Sequence, residues 1–220
     1  LLQKTCRGKL FDMLPIMHAC FQQLLSGYTT DSNRIGELWK EIEMHYLDQN
    51  RYYHTLAHLE YMYQQLVACR ECIEDWDTIL FSLFYHDIIY NPLRPDNEEQ
   101  SATLAMHHLQ ALFYPKHKID RCRIQILATK KHQQQVDADA NYFTDADLSV
   151  LGSSRDTYAQ YAANVRKEYA VYPDPIYKPG RVNVLQHFLK MERIYKTPYF
   201  FERFEAQARQ NLETELQKLC

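Results

Sequence analysis

Apolar and polar residues alternate along this chain at helical spacing almost throughout. Leu10, Phe11, Leu14, Met17, Phe21, Leu24 and Leu25 recur three and four positions apart, which marks the buried face of a helix over residues 8–25. Pro15 falls inside that run and predicts a kink or two shorter helices, because its ring clashes with the preceding turn. Asp31-Ser32-Asn33 offers side chains that accept from free first-turn N–H groups, so a second helix is expected from there to about Tyr46. Leu56, Leu59, Met62, Tyr63, Leu66 and Val67 mark one face of a third. Residues 76–90 are apolar almost all round, the pattern of a helix buried on every side. Pro92 and Pro95 predict a loop, with helices following over roughly 97–113 and 117–132. The polar stretch from Gln133 to Asn141 separates them from a short helix near 145–151. Gly152-Ser153-Ser154 breaks the chain before a helix over about 154–171. Pro173, Pro175 and Pro179-Gly180 predict a second loop, and helices near 181–195 and 198–218 close the sequence. No run alternates convincingly as a strand, and there is no internal repeat or low-complexity tract. The pattern reads as all-α: a compact multi-helix bundle forming one domain, with its core at about residues 35–152 and C-terminal helices at about 154–218 packed on it.

Composition narrows the function classes. Glycine is only 5 of 220 residues, which disfavours turn-rich β folds and glycine-rich phosphate loops. Tyrosine is 17, which suits rings placed at the boundary of a helical core. A net charge of −3 gives no basic stripe, so no nucleic-acid partner is expected. No apolar run approaches the ~18–20 residues that cross a bilayer, so no membrane partner is expected either. The first twenty residues mix Lys4, Arg7, Lys9 and Asp12 with apolar positions, unlike a secretory signal. Six scattered cysteines (Cys6, Cys20, Cys69, Cys72, Cys122, Cys220) include one Cys-x-x-Cys without a second pair, which reads as reduced, structural thiols. The expected compartment is cytoplasmic; the chain begins at Leu1, so a targeting segment upstream stays open.

Three short motifs carry chemistry. His54 and His58 lie four apart, a spacing that on a helix would put both on one side, where they suit a metal ligand beside an acid or phosphate donor, or two surface or capping histidines. His86-Asp87 sits inside the most apolar segment of the chain, where an unpaired carboxylate costs several kcal/mol. A divalent metal compensates by taking the imidazole and the carboxylate together; a buried His–Asp pair or backbone amides are the other solutions. Asp145-Ala146-Asp147-Leu148 offers two carboxylates, with Asp145 also readable as a helix cap.

In order, His58, His86-Asp87 and Asp147 resemble the His…His-Asp…Asp signature of the HD-domain metal-dependent phosphohydrolases, whose ligands sit on separate helices of an all-α bundle. Tyr53-His54-Thr55-Leu56-Ala57-His58 is similar to the Tyr-His-Asn-x-x-His segment of cyclic-nucleotide phosphodiesterases. That likeness implies His54 as general acid and His58 as ligand. From about residue 35 onward the chain resembles an uncharacterised branch of predicted HD phosphohydrolases through Arg51-x-Tyr53-His54-x-x-x-His58, His86-Asp87-x-x-Tyr90, Asn97-Glu98-x-x-Ser101-Ala102, Ala128-Thr129-x-x-His132, Asp145-Ala146-Asp147-Leu148 and Arg166-x-Glu168-Tyr169. The family pattern Ala-Asp-x-Leu implies Asp147, rather than Asp145, as the last ligand. The ppGpp hydrolases of the superfamily carry a Glu-Asp pair where this chain has Tyr90-Asn91, a departure from their mechanism.

The resemblance implies hydrolysis of a phosphate ester or anhydride, of a nucleotide or another small phosphorylated metabolite. His58, His86, Asp87 and Asp147 would hold a divalent transition metal, Mn, Fe, Co or Zn, with Mg as a candidate second ion. His132 is a candidate second-metal or substrate residue, and Glu98 a candidate base; of His107 and His108, at most one is expected to face inward. Arg51, Lys130, Lys131, Arg166 and Arg181 are candidate phosphate contacts, because guanidinium and ammonium groups match phosphate oxygens. The alternatives are a non-catalytic metal-containing module that binds a nucleotide or partner, and a di-iron oxygenase of the same superfamily, which needs two further histidine ligands.

Overall fold

The computed structural model describes residues 16–219; Pro15, with its predicted kink, and residues 8–14 of the first predicted helix lie outside them. Among the described residues there are ten α-helices, two short 3-10 turns and no strand. Residues 16–26 form α1, followed by α2 (Ser32–Tyr46), α3 (Leu56–Ala68), α4 (Trp76–Tyr85), α5 (Asn97–Ala111) and α6 (Lys116–Ala128). Then come α7 (Ala138–Leu148), α8 (Arg155–Glu168), α9 (Asp174–Lys190) and α10 (Pro198–Leu219). No helix among them is long and apolar enough to cross a membrane.

Local chemistry sets the helix starts. The Asp31 carboxylate accepts from the N–H groups of Asn33 and Arg34 at 3.0 and 3.1 Å and so begins α2. Asp75 accepts from Thr78 N–H and begins α4, whose residues Thr78 to Tyr85 are all buried. That helix is the axis of the bundle, packed by α3, α5, α6 and α7. One continuous core runs from Met17 on α1, through Trp39, Phe81, Phe84 and Phe143, to Phe200 and Leu212 on α10. Each such side chain contributes about 1.5–3 kcal/mol by leaving water.

The boundaries depart from the sequence pattern in four places, each for a local reason. Helix α4 stops at Tyr85 instead of reaching 90. Beyond it, Arg51 takes the carbonyls of Asp87 and Ile88, and Ser101 takes both backbone groups of Ile89, so helical pairing cannot continue. Helix α6 ends at Ala128, and His132 adopts a left-handed φ of 50°. Helix α7 begins at Ala138, well before the expected 145. Its buried face uses Ala140, Phe143 and Ala146, a weak apolar signal, while Asp137 caps it and Asn141 pairs with both backbone groups of Gln135. The expected proline loop is instead the first turns of α9, where Pro175 falls at positions that need no N–H and Pro179 is carried inside the helix.

The C-terminal helices are seated closely. A Cβ added at Gly152 would lie 2.6 Å from both the Cβ and the carbonyl oxygen of Phe204, so α10 touches the turn at 149–152 backbone to backbone. Tyr195 donates to the carbonyl of Leu148 at 2.9 Å, and Glu205 of α10 accepts from the N–H groups of Ile194 and Tyr195. The connector 191–197 is thereby fixed against the last turn of α7.

Candidate metal centre

The first turn of α3, the turn after α4 and the last turn of α7 meet at one point. There His58 Nε2 lies 3.2 Å from His86 Nε2 and 3.2 Å from Asp147 Oδ1. Asp87 Oδ2 lies 3.1 Å from His86 Nε2 and 3.8 Å from His58 Nε2. His58 and His86 are buried, and both carboxylates are mostly buried. His86 donates its Nδ1 proton to the carbonyl of Leu83 at 2.9 Å, which leaves its Nε2 lone pair for the cluster. His58 Nδ1 is buried without a protein partner.

This donor set fits a divalent cation. Two imidazole nitrogens and carboxylate oxygens converge; one atom each from His58, His86 and Asp147 all lie within 4.8 Å of one another. Borderline transition metals favour such mixed nitrogen and oxygen ligation. The protein alone meets the same crowding with protons. Burial opposes charge on His86, yet Asp87 and Asp147 outweigh it and push the imidazole up to about 9. Burial would lift Asp87, but His86 and His54 hold its carboxyl well below the usual range, and His132 and His58 do the same for Asp147. A cation would replace those protons.

Arg51 frames the turn that carries Asp87. Its guanidinium is buried and donates to the carbonyls of Asp87 at 2.7 Å, Ile88 at 2.8 Å and His54 at 3.3 Å. Tyr46 lies against its face at 5.1 Å. The expected phosphate contact is therefore a brace for backbone and does not line the cavity described below.

His54 stands beside the cluster, its Nε2 4.0 Å from Asp87 Oδ2 and its Nδ1 2.7 Å from Glu168 Oε2. Glu168 is buried at the end of α8. Its Oε1 accepts the N–H groups of Tyr52, Tyr53 and His54 at 2.8, 2.7 and 3.0 Å, and Tyr90 donates its hydroxyl to Oε2 at 3.1 Å. Burial works against the Glu168 carboxylate, but these donors, His54 foremost, hold its pKa at about 2. Burial likewise opposes protonation of His54, and Asp87 and Glu168 overcome it, raising the imidazole above its ordinary value. In sequence Glu168 stands only as a member of the Arg166-x-Glu168-Tyr169 motif, with no role attached. The available signal is its place one turn after Val165 on the buried face of α8.

His132 Nε2 lies 2.8 Å from Asp147 Oδ2, so the left-handed residue after α6 aims its ring at the centre. Asp145, the competing ligand and expected helix cap, does neither. It sits in the last turn of α7, fully buried, accepting from the N–H groups of Lys196 and Thr197 at 2.9 and 2.7 Å, with Lys196 Nζ 3.4 Å away. It anchors the C-terminal connector. His108 points elsewhere, with Nδ1 2.9 Å from the Tyr85 hydroxyl and Nε2 3.5 Å from Glu41.

A cavity of about 820 Å³ opens over the centre, lined by His54, Asp87, Asp147 and His132 at one end. Glu98, Lys130, Lys131 and Arg181 also line it; Arg51 and Arg166 do not. Burial raises the Glu98 carboxyl above its ordinary range. Lys130 is engaged by Glu99 at 2.5 Å and by the carbonyl of Pro95 at 2.6 Å. Arg181 grips both oxygens of Glu215 at 2.8 and 2.9 Å, and Arg166 donates to the carbonyls of Tyr169 and Tyr172 and to Asp174. Of the five expected phosphate contacts, Lys131 alone lines the cavity without an ion pair or hydrogen bond to its side chain among the described residues.

No family model, curated protein or solved structure matches this chain.

Proposed function

We propose that this chain is a metal-dependent phosphohydrolase of HD type, cleaving a phosphate ester or anhydride. One observation carries the reading: four residues far apart in sequence, His58, His86, Asp87 and Asp147, converge at the floor of a cavity that also holds a histidine bonded to a buried carboxylate. A divalent cation bound by those four residues would supply Lewis-acid polarisation of a phosphoryl oxygen and activation of water.

The remaining roles follow from the side chains themselves. Glu168 accepts from His54 Nδ1, which orients the ring and leaves Nε2 to carry a proton into the cavity. In hydrolysis a bond forms between the water oxygen and phosphorus while the bond from phosphorus to the leaving oxygen breaks. His54 Nε2 gives its proton to that leaving oxygen. Glu98, partly buried on the same wall, suits the acceptor of the water's proton. His132 fixes the second oxygen of Asp147. Lys131 attracts the phosphoryl oxygens, and Tyr90, stacked on His54 at 4.1 Å, limits its movement.

The test is elemental analysis of protein purified without chelator or metal-affinity resin, beside its Asp87→Ala variant, followed by a phosphoester screen with the metal found. The expected result is about one or two equivalents of Mn, Fe, Co or Zn in the native protein and little in the variant. Two proteins that stay empty after loading with each metal would leave His86-Asp87 as a buried structural pair and end the hydrolase reading.

A further inference from the structure

The cavity extends well past the residues that face the metal centre, and its far wall comes from α8 and α9. On α9, Ile176, Gly180, Val184 and Phe188 recur at every fourth residue, so they fall on one stripe of the helix, and all four line the cavity. The adjacent stripe does the packing, with Arg181 and Leu185 buried. Ile176 is 60% exposed and Val184 44% exposed, so the cavity-facing stripe is apolar surface that the protein leaves uncovered. Tyr169 and Tyr177 extend it with their rings 6.2 Å apart, a surface suited to stacking or edge contact with another ring.

The charge balance limits the polar end. Among the cations that line the cavity, Arg94 is held by both oxygens of Asp96 at 3.0 Å, Lys130 by Glu99, and Arg181 by Glu215. Lys131 is the one lysine or arginine left uncommitted among the described residues that line the cavity. A metal and His54 would meet one phosphoryl group at the centre, and each further phosphate of a chain would find Lys131 as the one uncommitted lysine or arginine among the described residues that line the cavity.

We propose that the α9 stripe seats the organic body of the substrate, and that the substrate is a phosphomonoester with one phosphoryl group on an apolar, ring-bearing body. The phosphoryl end of this proposal rests on the hydrolase reading; the seat does not. Water attack releases the body as its alcohol, protonated by His54, with inorganic phosphate as the other product.

Gly180 gives the sharpest probe. A Cβ there meets nothing within 4 Å, and its φ is not left-handed, so the backbone accepts Gly180→Phe and the ring is directed into the seat. Val184→Gln is the second variant, at a side chain already half in solvent. Metal-loaded protein is assayed with 1-naphthyl phosphate and methyl phosphate, and kcat/KM for the first is divided by that for the second. The expected ratio is at least about tenfold in the native protein and falls at least about tenfold in Gly180→Phe, the scale on which an apolar pocket discriminates. Val184→Gln lowers it in the same direction. Binding of both esters is read in parallel, by naphthyl fluorescence and by calorimetry. If neither ester is hydrolysed but naphthyl phosphate binds more tightly than methyl phosphate, and Gly180→Phe removes that preference, the seat stands and the hydrolase reading falls. A preference within about twofold in both turnover and binding, or one that both variants leave unchanged, overturns the seat. Inorganic tripolyphosphate competing more strongly than inorganic phosphate overturns the single-phosphoryl part.

Discussion

Replacing Glu168 by glutamine should remove a pH-dependent share of stability that can be calculated beforehand. The carboxylate ordinarily titrates at 4.5 and is held at about 2 in the folded chain. A depressed carboxylate stabilises the fold above its unfolded pKa, and that stability is lost as pH falls through the folded value. The shift is worth about 3 kcal/mol at pH 7, and about 2 kcal/mol remains at pH 3.5. The side chain introduced by Glu168→Gln keeps one carbonyl oxygen for the three N–H groups of Tyr52, Tyr53 and His54, but turns an amide donor toward His54 and Tyr90. The variant is therefore less stable than the native chain, and the gap narrows by roughly 1–1.5 kcal/mol between pH 7 and pH 3.5. Urea unfolding of both proteins at the two pH values measures it, with chelator present so that bound metal contributes to neither. A gap that is the same at both pH values would show that the carboxylate's charge is not what stabilises the 52–54 turn, and the reasoning would fall.

Three further outcomes follow from other contacts. Arg51→Ala strips two buried carbonyls, those of Asp87 and Ile88, of their donors and should cost about 3 kcal/mol in urea unfolding; a change under about 0.5 kcal/mol would mean the guanidinium is free for substrate after all. Gly152→Ala drives a methyl into the Phe204 backbone and should cost about 2–3 kcal/mol by the same measurement, an unchanged midpoint refuting the close approach. His132→Gly and His132→Ala both lose the bond to Asp147, but glycine accepts the left-handed φ and alanine does not. The glycine variant should unfold later by about 1 kcal/mol, and equal midpoints would deny the strain.

Much of the fold was legible because its strongest helices carry strong periodicity. The apolar run of α4 and the spacing of α3 identified both elements, and an aspartate marked the start of α2. Helix α7 was harder to read, since its buried face is made of Ala140, Phe143 and Ala146 within a polar stretch. The start of α9 was obscured by three prolines, two of which sit where a helix tolerates them. At the centre, the HD-family resemblance pointed to His58, His86, Asp87 and Asp147, which the fold brings close together, whereas residue type alone left Asp145 and Asp147 undivided. The cations misled for the opposite reason. An arginine in sequence does not reveal whether it meets a phosphate, three carbonyls as Arg51 does, or a glutamate as Arg181 does. Glu168 acts on residues more than a hundred positions away, a pairing that only the folded chain discloses.

The anchoring of Asp145 has a consequence for the order in which the protein is made. Synthesis runs from the N-terminus, and His58, His86, Asp87 and Asp147 all leave the ribosome before Lys196 and Thr197. Until those two residues emerge, the carboxylate two positions from Asp147 has none of the donors that satisfy it in the finished protein. A buried charge without partners is costly, so the final form of the last turn of α7 is disfavoured until those donors are present. Completion of the last turn of α7 therefore waits for Lys196 and Thr197 to be made.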